Sequence, residues 1–274
     1  MEQLNFENPW RHRAGSDDDV GHNEEGPKDD IAVQFGFDDR SIRAAFVAKV
    51  FALVTVMFAI TAAFSAVPIY NKDFKKWCNQ EDHWWCVYVA MQVYFSLSIY
   101  KSFFRGVFFI FYITLMCCGR ARRCFPCNLF ILTCFTFSAA TMTMFITATY
   151  SADAVLISLL ITTGCSASII LFAATTKKDL TSCLGVAFIL GICLMLFGLM
   201  ACIFCIFLNW QFLYIVYAVL GALLCMFYLA IDIQLIMGGR RVEISPEEYI
   251  FAATHVFVDI LGMFLNILGV VGNA

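Results

Sequence analysis

Two carboxylic acids, Asp232 and Asp259, lie inside stretches that are otherwise apolar. An ionised carboxylate at the centre of a membrane costs at least ~2.5 kcal/mol on insertion scales, so an acid there is usually paired or functional. If these two meet, they cannot both ionise cheaply; the pair then shares a proton and titrates as a unit. Their oxygens are also hard ligands of the kind calcium prefers, which makes Asp232 and Asp259 calcium contacts in this reading. The chemistry expected is a proton-sensitive cation gate. The competing reading is that small and polar residues only allow close helix packing, with each acid bonded to neighbours.

The positions around these acids are periodic. His255, Asp259, Gly262, Asn266, Gly269 and Asn273 are separated by alternating steps of four and three, which puts them on one face of a helix. Gly221, Cys225, Tyr228 and Asp232 form a similar stripe, flanked by Gln234. His255, Asn266 and Gln234 are therefore expected beside the gate. A short loop joins the two segments, so they are antiparallel neighbours whose stripes can face each other.

The elements that must carry these stripes are membrane spans. Of 274 residues, 61% are hydrophobic and 14% charged, against roughly 45–50% and about 25% in soluble domains. A bilayer core takes about 20 apolar residues per helix. Spans are expected at about 44–69, 98–118, 128–149, 154–174, 184–208, 212–237 and 249–271, an all-α bundle of seven transmembrane helices occupying 41–274. The second is the hardest to place, because 87–118 is long and contains Lys101 and Arg105. The loop at 70–86, with Trp77, Trp84 and Trp85, suits an interfacial belt.

Residues 1–40 hold 11 of the 21 acids and four basic residues, with few large aliphatics. Such a segment cannot bury enough surface to offset chain entropy and reads as a disordered acidic arm. Met1 is followed by acids rather than by a basic and then apolar leader, so the first span is expected to act as an uncleaved signal. Loops 119–127, 175–183 and 238–248 carry seven Lys and Arg, whereas 150–153 and 209–211 carry none. By the positive-inside rule the three basic loops and the arm are cytosolic, and the C-terminus is lumenal or external. Lys72, Lys75 and Lys76, on the opposite side, weaken the bias slightly.

Other chemistry finds little support. No phosphate-binding glycine loop, His-Glu-x-x-His or Gly-x-Ser-x-Gly occurs, and His12, His22, His83 and His255 are scattered. An intramembrane aspartyl protease would need Gly-x-Gly-Asp and Pro-Ala-Leu, and neither is present. No enzyme activity and no cofactor are expected, with calcium only a permeant ion. The basic residues form brief topogenic clusters and give no support for nucleic-acid binding. Cys117, Cys118, Cys124 and Cys127 surround three arginines and read as free thiols, acylation sites or, least of all, a metal site. Cys78 and Cys86 share one polar loop and pair if it faces an oxidising lumen. Ser245-Pro246-Glu247-Glu248 has the pattern of a capping box that starts the last span.

The chain resembles the lifeguard branch of the transmembrane Bax-inhibitor-motif family over roughly 38–272. The resemblance rests on FDDRSIR at 37–43, CCGRARRCFPCN at 117–128, TKKDLTSC at 176–183, AIDIQLIMGGRR at 230–241, SPEEYI at 245–250 and HVFVDI at 255–260. It implies a seven-helix fold of Bax-inhibitor type, a two-aspartate pH-responsive element at Asp232 and Asp259, and calcium leak from the endoplasmic reticulum or Golgi. It also implies suppression of apoptosis, with cell-death regulatory proteins as partners. A basic partner for the aspartates is expected in the wider family, for which Arg122 and Arg123 are the candidates. Cys127, Ile233 and Gly239 depart from the family's usual Trp, Thr and Asn. The alternative function is a non-conducting membrane protein that restrains death signalling through its loops or tail.

Overall fold

Long apolar runs have to satisfy their backbone hydrogen bonds internally in lipid, and the helix does this within one segment. The computed structural model describes residues 28–79, 108, 110–117, 119, 126–208 and 211–273, and no strand occurs among them. Helix α1 spans Lys28–Tyr70, α2 Lys72–Asn79, α3 Cys127–Ala148, α4 Ala152–Thr175, α5 Leu184–Leu208, α6 Gln211–Met237 and α7 Tyr249–Val271. Residues 110–117 are also helical. Six of these elements are long and apolar enough to cross a membrane, at Ser41–Tyr70, Cys127–Ala148, Ala152–Thr175, Thr181–Ala201, Phe212–Met237 and Pro246–Val271.

The expected bounds of α3 to α7 match to within two residues. Helix α1 differs at its start. It starts at Lys28, inside the stretch read as an arm, and continues through Pro68 to Tyr70. A proline in the final turn removes one donor without breaking a membrane helix. The stretch 70–86, expected as a loop, contains α2 at its start. The Oδ1 of Asn71 accepts from the backbone N–H groups of Asp73 and Phe74 at 3.1 and 3.0 Å, which starts that short helix. Lys75 then donates to the carbonyl of Tyr150 at 2.6 Å, tying α2 to the turn between α3 and α4. Ser151 caps α4 by accepting from the N–H of Ala154 at 3.2 Å. The capping box expected at Ser245 does not form. Ser245 is extended and Pro246 opens a 3₁₀ turn, but no side chain caps it; the backbone N–H of Glu248 donates to the Ser245 carbonyl instead.

Helix α7 is the hub. Over its most apolar stretch 56% of residues are buried, against 6% in α5. One face of α7, with Ala252, Val256 and Met263, packs on Val50 of α1 and Leu229 and Ile233 of α6. The other, with Ile250, Phe257 and Leu268, packs on Leu132 and Phe135 of α3 and Leu115. The α1 stripe Phe46, Val50, Val54, Met57 and Thr61 is buried at helical spacing. Helix α5 is apolar all round and exposes Phe188, Ile189 and Leu199, as a helix bathed in lipid should.

The ends of α4 and α6 are held together by polar contacts between loops. The guanidinium of Arg240 donates to the carbonyls of Thr176 and Lys177, the latter at 2.9 Å. Asp179 accepts from the Thr181 hydroxyl at 2.6 Å and from the Arg241 backbone at 3.2 Å. The Thr181 hydroxyl holds the Asp179 carboxyl below the usual carboxylate range. Arg43 of α1 joins the same end, paired with Glu243 at 2.7 Å and donating to the Ile244 carbonyl at 2.7 Å. Gly238 and Gly239 both have φ near +70°, which lets the chain leave α6 in the left-handed region.

Candidate functional site: the carboxylate pair between α6 and α7

Asp232 lies five residues before the end of α6, and Asp259 ten residues into α7. At 1.5 Å per residue they sit about 7.5 and about 15 Å from the basic-loop end. Helical side chains lean toward their own N-terminus. In this antiparallel pair that brings the two acids toward each other across the offset. Both are at least nine-tenths buried, at 7% and 9% exposure, and their carboxyls lie close enough to interact, with a hydrogen bond between them requiring a proton on one.

His255, one turn before Asp259, completes the cluster. Its Nδ1 lies 3.3 Å from Oδ2 of Asp232, within ion-pair distance but off the axis of a hydrogen bond. The pairing is ionic only when the imidazole carries a proton. Its ring meets Phe251 edge-on at 4.4 Å between centroids. Oδ2 of Asp232, Oδ2 of Asp259 and Nε2 of His255 are all buried without a hydrogen-bond partner. Buried polar atoms are normally satisfied, so three orphans at one place single out this cluster as the candidate site. Among the described residues no group of three His, Cys, Asp or Glu is arranged as a ready-made metal cage.

The remaining stripe residues divide. Asn266 is seven residues beyond Asp259, two turns or about 10.5 Å away. It lies against Gly221 and donates to the Gly262 carbonyl at 2.8 Å. Cys225 faces Gly262 in the same way. Tyr228 donates to the Ala187 carbonyl of α5 at 2.7 Å and stays within electrostatic reach of both carboxyls. Gln234 is a correction. It is two residues, about 200° of helix, from Asp232 and points away from the acids. It is 1% exposed, its Oε1 accepts from the Leu180 N–H at 2.7 Å, and its Nε2 donates to the Lys178 carbonyl at 2.9 Å. Gln234 therefore braces the α4–α5 loop and does not join the carboxylate cluster. Arg122, Arg123, Lys101, Arg105, Trp84, Trp85, Cys86, Cys118 and Cys124 lie outside the described residues. Cys117 and Cys127 are exposed free thiols.

One contributor leaves no signal in the sequence: Tyr112, in the helical stretch 110–117, lies within electrostatic reach of both carboxyls, and tyrosines are common in spans. At the start of α7, ten residues before Asp259, Lys49 of α1 places its ammonium 3.4 Å from the ring centroid of Tyr249, whose hydroxyl accepts from Asn128 Nδ2 at 3.1 Å.

The fold and site define a multi-pass α-helical membrane protein with an acidic pair buried between its last two spans. The family described as "Inhibitor of apoptosis-promoting Bax1" matches residues 43–274, and the chain belongs to it. Protein lifeguard 3 of Homo sapiens is 34% identical over 256 residues, covering 92% of this chain and 77% of that protein. Protein lifeguard 3 of Mus musculus is 36% identical over 237 residues, covering 86% and 72%. Protein lifeguard 4 of Mus musculus is 26% identical over 228 residues, covering 83% and 84%.

Proposed function

We propose that this chain is a proton-sensitive calcium leak of the endoplasmic reticulum or Golgi membrane that moderates calcium homeostasis and restrains apoptosis. Asp232 and Asp259 form its gate. In this reading a span at about 98–118 completes a seven-helix bundle, the basic loops face the cytosol, and the acids lie toward that side. The observation that carries the reading is the close approach of two buried carboxyls, each with one oxygen that has no hydrogen-bond partner. A proton and a divalent cation compete for the same oxygens, so acidity changes the ion's access. The test is calcium flux from vesicles holding the purified chain, followed against pH in the wild type and in Asp232→Asn and Asp259→Asn.

A second reading draws on the family's description, which names an apoptosis-promoting protein as what is inhibited. Here the chain conducts nothing and restrains death signalling through its loops or tail by binding a regulatory protein. Protection of cells that survives loss of both aspartates but not replacement of the loops would favour it.

A further inference from the structure

The basic end of the bundle carries a feature that the gate does not use. Lys177, Lys178 and Arg241 are exposed, and none makes an ion pair among the described residues. Arg240 gives its guanidinium to two neutral carbonyls and also lies within electrostatic reach of the Asp179 carboxylate. Of the acids in these loops, Asp179 accepts from Thr181 and the Arg241 backbone and Glu243 from Arg43 and the Gly239 N–H at 3.1 Å, while Glu247 is exposed and Glu248 is buried. Topology alone asks only that loops on one side be basic. It does not ask that two loops be locked together, as Arg240, Asp179 and Gln234 lock these, so that four cations from separate loops share one rim.

Beside this rim lies an apolar cleft. Ala44, Val47 and Ala48 of α1 and Met237 of α6 line a space of about 450 Å³, with Arg43 at its polar end. Arg43 also packs on Gly238 and bonds the Ile244 carbonyl, so the cleft's charged end is continuous with the 238–244 loop. Ala44, Ala48 and Met237 are exposed near the ends of membrane spans, where the hydrocarbon core meets the headgroup layer.

We propose that this end of the bundle binds an anionic phospholipid with a multiply phosphorylated headgroup, its phosphates on Lys177, Lys178, Arg240 and Arg241 and its acyl chain in the α1–α6 cleft. Charge complementarity selects the headgroup and the apolar cleft selects a lipid over a free anion. The inference goes beyond the gate. It is read by binding without ion flux, so either idea can fail while the other stands.

The test uses the full chain in detergent, titrated with a phosphatidylinositol bisphosphate, with phosphatidylcholine and with soluble inositol trisphosphate. The bisphosphate lipid binds best. The triple variant Lys177→Gln, Lys178→Gln, Arg241→Gln binds it about a hundredfold more weakly, roughly fivefold per cation removed. Those side chains hold no other element, so the thermal midpoint stays unchanged. Ala48→Trp, or Ala44→Trp if the first fails to fold, fills the cleft and weakens the lipid but not inositol trisphosphate. Unchanged binding by the triple variant, or equal binding of phosphatidylcholine, overturns the proposal. Equal affinity for inositol trisphosphate with no effect of the tryptophan assigns the rim to a free polyphosphate and overturns the lipid assignment.

Discussion

Gly221 of α6 and Asn266 of α7 face each other so closely that a Cβ built on the glycine would lie 2.6 Å from Oδ1 of Asn266. Together with Cys225 against Gly262 and Asp232 against His255, this contact sets the register of the two helices that carry the acids. The glycine is needed for close approach, since small residues let membrane helices pack backbone to backbone.

Gly221→Val should therefore push α6 and α7 apart and lower stability by about 1–3 kcal/mol, as overpacking does. Adding Asn266→Ala removes the obstructing group and should restore most of the loss. Thermal unfolding of the purified single and double variants in detergent checks both. Additive losses would show that the two residues are not opposed.

Gln234→Leu keeps bulk but leaves the Leu180 N–H and the Lys178 carbonyl without the amide. The expected cost is about 1–3 kcal/mol, because partners of a removed polar group lose their compensation. Limited proteolysis should show faster cleavage within 176–183. A calcium flux whose pH midpoint moves as far as in the aspartate variants would place Gln234 at the gate and contradict its assignment as a brace.

Asp179 bears on pH. Its carboxyl is held below the ordinary range chiefly by the Thr181 hydroxyl. A carboxyl whose folded pKa is depressed contributes stability above its unfolded value, about 4, and loses it as pH falls through the folded value. The loop clasp thus stays intact through the physiological range and opens only in strong acid. Asp179→Asn should leave the pH midpoint of calcium flux unchanged, whereas a shifted midpoint would make the clasp part of the sensor.

Much of this architecture was legible beforehand, for physical reasons. Apolar runs of fixed length bounded by basic loops locate α3 to α7, and steps of three and four residues put Asp259, Gly262 and Asn266 on one face. Gln234 was misplaced because proximity in sequence was allowed to stand for proximity on a helix, where two residues are about 200° apart. The clasp among Arg43, Glu243, Arg240 and Asp179 joins loops up to two hundred residues apart, and such bonds leave no period in the chain. The Ser245 capping box does not form because Pro246 starts a 3₁₀ turn in which the Glu248 N–H goes to the backbone carbonyl of Ser245 instead of to its side-chain oxygen.

In the proposed function Asp232 and Asp259 act as one proton-sensitive unit on calcium passage. This is tested most directly by calcium release from vesicles across a pH series, comparing wild type, Asp232→Asn, Asp259→Asn and the double variant. Each single change should alter flux and flatten its pH dependence, and the double should add little, because partners in one unit are not additive. Flux and pH profile equal to wild type in both single variants would contradict the account.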